Sequence, residues 1–127
     1  MKIEPSPYTV VIDTREQLKF SFAHPFKSGN KLYSIQTEIG TIKSGDYSLK
    51  GYENEISVER KSLKDLFGTL GQGRSRFIRE LERLAEMKFA AVVVEADWTT
   101  ILTNPPSRSR LKPVTIVHSV LAWQQRY

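Results

Sequence analysis

Hydrophobic positions along the chain change period several times, and each change predicts an element. Thr9, Val10, Val11 and Ile12 form a continuous β-branched run, the pattern of a strand covered on both faces. Across residues 32–39, Tyr33, Ile35, Thr37 and Ile39 alternate with Ser34, Gln36 and Glu38, which predicts a strand with one solvated face. Residues 42–49 read as strand interrupted at Gly45. Residues 56–61 alternate again, with Ile56, Val58 and Arg60 on one face and Ser57, Glu59 and Lys61 on the other. The period then lengthens. Leu63, Leu66, Phe67 and Leu70 form a helical stripe behind an N-cap at Ser62, with Asp65 three residues on. Gly71-Gln72-Gly73 stops that helix, and residues 74–88 start another, with Phe77, Ile78, Leu81, Leu84 and Ala85 on one face.

Residues 89–95 read as a buried strand by length and β-branching, followed by a short helix to Leu102 capped by Asp97 or Thr99. A proline- and arginine-rich solvated connector spans residues 104–110. Pro113 opens a last helix with Val114, Val117, His118 and Leu121 in stripe. Residues 19–30 fit neither period and predict a loop or weak helix whose Phe20, Phe22 and Phe26 plug into the core. The order β, β, β, β, α, α, β, α, α predicts an α/β sandwich around a central mixed sheet flanked by helices.

Composition narrows the function classes. A chain of 127 residues without repeat, linker or low-complexity tract is expected to be one domain over 1–127. The tail from Trp123 to Tyr127 carries no stop signal, so that domain is expected to be C-terminally incomplete. There is no cysteine, which excludes disulfides and thiolate metal sites and suits an intracellular setting. The first residues lack a signal-peptide pattern, and the longest apolar run is too short to cross a bilayer. A formal net charge of +5 favours a polyanionic partner.

The candidate chemistry is acidic. Asp13 leaves the first strand, Asp46 sits on the third and Glu59 lies near the end of the fourth. If those strands are neighbours, the three acids converge at one end of the sheet, with Glu16 close by. Carboxylates held together repel, and a divalent cation removes the conflict. Oxygen-only donors point to Mg2+ or Mn2+. Lys61 shares the face of Glu59, where an ammonium can orient an attacking water and offset charge on phosphoryl oxygens. Arg60 faces the other way, which suggests a structural role, pairing with Asp65. Arg74, Arg76 and Arg79 form a less balanced basic cluster suited to phosphates. His24 and His118 have no partner pattern for catalysis.

Taken singly, an E-R-K strand end and a G-D-Y turn are commonplace. Together they are specific: Gly45-Asp46-Tyr47, then Glu59-Arg60-Lys61, then Asp65, behind Asp13-Thr14-Arg15-Glu16 and ahead of Gly73-Arg74. This combination resembles the XPF-type structure-specific endonuclease domain, a branch of the restriction-endonuclease-like PD-(D/E)xK superfamily. The resemblance implies a restriction-endonuclease-like three-layer sandwich and Mg2+-dependent hydrolysis of DNA phosphodiester bonds at branched or flap structures. It implies Asp46 and Glu59 as the surest metal ligands, Asp13 and Glu16 as further acids, and Lys61 as catalytic. Arg60 and Asp65 complete the signature, and Arg74 matches an arginine near the active site. Family members work on DNA in repair and recombination, commonly as dimers or with a partner subunit or domain that supplies DNA binding. The competing readings are a catalytically inactive nuclease-like DNA-binding module and a basic RNA- or protein-binding domain whose acids cap turns.

Overall fold

A computed structural model describes residues 2–107 and 109–127; Met1, and Arg108 of the proline- and arginine-rich connector, lie outside the described residues. The elements are β1 (Ile3–Asp13), β2 (Phe26–Ser28), β3 (Lys31–Gly40), β4 (Tyr47–Leu49), β5 (Ile56–Lys61), α1 (Leu63–Leu70), α2 (Arg74–Ala85), β6 (Phe89–Val94), α3 (Trp98–Thr103) and α4 (Pro113–Arg126). The strands form one six-stranded sheet in the order β2-β3-β1-β4-β5-β6. β1 runs parallel to β3 and antiparallel to β4, β4 is antiparallel to β5, and β5 is parallel to β6. The predicted α/β fold with a central mixed sheet is the one observed.

β1, β4 and β5 are neighbours, so the sheet gathers the strand ends that carry the acids. The backbone N–H of Asp13 donates to the Asp46 carbonyl at 2.9 Å, and the N–H of Asp46 donates to the Val58 carbonyl at 2.8 Å. Asp46 is thereby tied to both flanking strands, although it lies just ahead of β4 rather than within a strand. The segment expected as strand over residues 42–49 is strand only from Tyr47. Gly45 has φ +89, a left-handed backbone that breaks the ladder. A Cβ there would lie 1.9 Å from the Ser57 hydroxyl, so the turn also rests directly on β5.

The face of β5 bearing Ser57, Glu59 and Lys61 looks into the helical layer. All four helices contribute to one core: Leu66, Phe67 and Leu70 of α1, Phe77 and Leu81 of α2, Ile101 of α3 and Ile116 of α4. Ser62 caps α1 as expected, accepting from the Asp65 N–H at 3.1 Å, and Asp97 is the cap of α3. On the opposite face, Phe20 and Phe22 close a small apolar pocket over Val10, Ile56 and Val58.

Several expectations change. The aromatic segment is a cover rather than a core plug: Phe22 is half-buried against Phe20 and Tyr47, while Phe20 and Phe26 are exposed, and Phe26 lies in the additional short strand β2. β6 is the last strand of the sheet, so Phe89, Val92 and Val93 stay exposed in a strand whose composition predicts burial. The face of α4 that packs is Ile116, Ser119, Val120 and Trp123; Val114, His118 and Leu121 point to solvent. Two overlapping apolar stripes run along that helix, and only packing against α1 and α3 selects between them. α2 ends at Ala85, three residues short of the expected Lys88.

Candidate active site

Four elements converge on the end of the sheet: the turn after β1, the turn before β4, the end of β5, and α2. Asp46 is half-buried, and one of its carboxylate oxygens accepts from the Arg60 backbone N–H at 2.8 Å. The β5 main chain therefore positions Asp46 through an amide directed within the plane of the sheet. Burial raises the Asp46 carboxyl above its ordinary value; this amide opposes the shift, and Glu16 and Glu80 add to it.

Glu59 is the most perturbed group. It is 6% exposed, and burial, then its hydrogen bond with Glu80, then repulsion from Glu80 and Asp46, push its carboxyl up to about 9. The Lys61 ammonium, 3.5 Å from the Glu59 carboxylate, opposes this shift. The same ammonium donates to the Thr69 hydroxyl of α1 at 3.2 Å and lies 5.0 Å from the centre of the Phe77 ring of α2. Lys61 is thus braced by both helices, with a side chain only 14% exposed.

Glu80 is the acid that the linear pattern leaves unmarked. On α2 it stands three residues after Phe77, which touches Lys61, and three before Arg83, whose Nε donates to the Ser44 hydroxyl at 3.2 Å. Residues three apart share a helix face, and both neighbours of Glu80 on that face contact the site. This spacing beside Phe77 is the signal that could have found it. It means little until α2 is known to lie against β5.

The other predicted residues divide. Glu16 is largely buried, with Oε2 lacking a hydrogen bond and 3.8 Å from an Arg60 Nη1. Asp13 is almost fully buried, but both carboxylate oxygens are engaged: one accepts from the Ile42 N–H at 2.9 Å, the other from the Nε of Arg15 at 2.7 Å and its N–H at 3.2 Å. Burial alone would raise its carboxyl; these donors outweigh that and hold it below the ordinary value. Arg60 pairs with Glu95 of the segment after β6 and reaches the Leu18 carbonyl, not Asp65. Its strand face points away from α1, so Asp65 is out of its path, and Asp65 itself is exposed. Arg74 is used internally, donating to the Leu70 carbonyl at 3.3 Å and the Ser119 hydroxyl at 2.9 Å over the Trp123 ring. Arg76 and Arg79 are exposed on α2.

The structure therefore brings together Asp46, Glu59, Lys61 and Glu80, with Glu16 beside them across Arg60. Among the described residues, no three Asp, Glu or His side chains are gathered tightly enough to enclose a metal ion as they stand. A buried acid pushed toward its neutral form beside two more carboxylates is nevertheless a group whose charge calls for a cation.

A family model described as the ERCC4 domain matches residues 12–127. Among solved structures, XPF from Aeropyrum pernix superposes with a TM-score of 0.64 at 23% sequence identity, covering 94% of this chain and 49% of that one. This chain thus spans about half the length of that protein. No protein of curated function matches it. The XPF-type resemblance in the Gly45–Asp65 signature and the fold agree, and the chain belongs to the ERCC4-domain family.

Proposed function

We propose that this chain is a metal-dependent DNA endonuclease domain, hydrolysing phosphodiester bonds at branched or flap structures. The observation that carries the reading is the meeting of Asp46, Glu59 and Lys61, with Glu59 buried and its carboxyl pushed up to about 9 by burial, Glu80 and Asp46. A stability-driven design has no use for such a group, and strongly perturbed acids in a shared site are a mark of function.

The donor set fits Mg2+ or Mn2+. It is all oxygen, it contains no histidine or cysteine, and its excess negative charge is of the kind a hard divalent cation offsets. Asp46 and Glu59 would hold the ion, with Glu80 and Glu16 as flanking acids; when bound, it supplies Lewis-acid polarisation of a phosphoryl oxygen. Asp13 serves instead as the anchor of Arg15 and the 42–46 turn. The Lys61 ammonium, fixed by Thr69 and Phe77, orients a water toward phosphorus and balances charge that develops on the phosphoryl oxygens. Arg60 holds the β5 end against the aromatic cover and Glu95, keeping Glu59 and Lys61 on the helix-facing side. A homodimer or partner subunit supplying further DNA contacts belongs to the same proposal.

The test is cleavage of flap, fork, single-stranded and duplex DNA in magnesium, manganese or chelator. Metal-dependent cutting, abolished in Glu59→Gln and reduced by about 100-fold or more in Lys61→Ala, is expected. Lack of cutting on every substrate, or full activity in Lys61→Ala, sinks the mechanism.

A further inference from the structure

The exit of β1 presents an arginine that is fixed yet open to solvent. Arg15 rests its Nε on the buried Asp13 carboxylate at 2.7 Å and an Nη2 on the Ile42 carbonyl at 2.9 Å, while its side chain remains 70% exposed. Five N–H donors make up a guanidinium, so these two anchors leave others for a ligand. Arg83 reaches the same short segment from α2, with its Nε on the Ser44 hydroxyl at 3.2 Å, and is itself exposed. The segment they hold, Ile42-Lys43-Ser44, leads directly into Gly45 and Asp46, and Lys43 is exposed between them. Coulomb attraction from Asp46 and Glu80 reaches the Arg15 guanidinium, which sets it beside the acids.

We propose that Arg15 and Arg83 form a phosphodiester clamp that holds the nucleic-acid backbone against the acidic site. This rests on the reading of the chain as a DNA enzyme. Asp46, Glu59, Glu80 and Glu16 present negative charge to a polyanion, so a strand reaches them only where cations line the approach. A guanidinium fork matches two phosphate oxygens at once, which an ammonium does not. Pinning both arginines in the free protein removes much of the rotamer entropy that binding would otherwise cost. The arrangement also explains a buried aspartate at the β1 exit: Asp13 keeps Arg15 aimed while being sealed from the ligand. Arg74, expected from charge pattern to meet phosphates, is committed to Ser119 and Trp123 and takes no part.

Binding of a fluorescein-labelled branched oligodeoxynucleotide, followed by anisotropy in chelator so that no cleavage occurs, tests the clamp across a salt series. Wild type is expected to bind with a steep salt dependence. Arg83→Gln and Arg15→Gln should each weaken binding by about 5- to 20-fold and flatten the log–log salt slope by about 1 per arginine. Lys88→Gln, on the Lys88–Glu55 pair at 2.9 Å, is the surface control and should bind as wild type. Arg15→Lys should keep most of the salt slope and lose affinity, because the charge stays and the fork is gone. Arg15→Gln uncovers a buried aspartate; if its circular dichroism shows misfolding, Arg83→Gln decides alone. Wild-type affinity and slope in the arginine variants, or no binding by wild type, overturns the clamp. Cleavage is scored separately: binding that depends on both arginines without cutting on any substrate defeats the nuclease reading and leaves the clamp standing.

Discussion

Replacing Glu59 by Gln isolates the electrostatic cost built into the site. Burial, then Glu80, then Asp46 raise the Glu59 carboxyl from an ordinary 4.5 to about 9. Between those values the folded protein carries a proton on Glu59 that the unfolded chain has released. Folding is therefore opposed by about 1.4 kcal/mol for each pH unit above the ordinary value. The group's contribution is fully present below about 4.5 and is lost as pH rises through about 9. At neutral pH the penalty on that slope is about 3 kcal/mol, and a neutral amide avoids it. The amide keeps a carbonyl acceptor facing the Lys61 ammonium, which stands 3.5 Å from the Glu59 carboxyl, as the protonated acid does. Its N–H can still donate to Glu80. Metal-free Glu59→Gln should thus be more stable than wild type by about 1–3 kcal/mol near pH 7, and nearly equal to it at the acid end. Urea denaturation in chelator from about pH 5 to about pH 8, followed by far-ultraviolet circular dichroism, measures the difference. A variant destabilised by the same amount at every pH would refute the claim that the fold holds Glu59 protonated at a cost. Millimolar magnesium should reverse the order, stabilising wild type and leaving the variant unmoved.

Gly45→Ala should destabilise by about 2–5 kcal/mol in chemical denaturation, since it combines a left-handed φ of +89 with a Cβ 1.9 Å from the Ser57 hydroxyl. Adding Ser57→Ala removes the clashing oxygen, so the double variant should cost less than the two single changes added; strict additivity would show that the close approach does not matter. Arg60→Gln should lower stability by about 1–3 kcal/mol and speed proteolysis within residues 17–25, because it frees the Leu18 carbonyl and Glu95 together. Glu80→Gln should keep the fold, unchanged in circular dichroism, while weakening the magnesium-induced rise in melting temperature; an unchanged rise would remove Glu80 from the site. Asp13→Asn should cost about 1–3 kcal/mol near neutral pH, because a charged acceptor of three hydrogen bonds is lost, and the gap should narrow as acid protonates Asp13 in wild type.

Much of the candidate site is legible in one dimension because strand chemistry is local. Alternation along β5 puts Glu59 and Lys61 on one face and Arg60 on the other, and the structure keeps that division. The spacing of Gly45-Asp46 to Glu59 carries the resemblance and predicts neighbouring strands. Glu80 is hidden for the opposite reason: an acid among five other charged residues on α2 looks solvated until the helix is docked. Asp13 is ambiguous in a different way. A carboxylate at a strand end is compatible both with holding an ion and with accepting backbone amides, and only the path of residues 40–46 past it supplies the Ile42 amide that it accepts.

The Gly45–Asp65 stretch, by itself, determines the turn, the strand with its two chemical faces and the capped helix, since each depends on neighbours a few residues away. Tertiary structure alone decides the rest: that α2 lays Glu80 on Glu59, that Arg60 reaches Glu95 across the sheet edge, that β6 stands open at that edge, and that α4 packs on Ile116 rather than Val114. Those outcomes depend on which surfaces meet, and burial and charge energies exist only after they have met. A helix stripe or a lone acid is ambiguous until a partner surface removes water from one side of it.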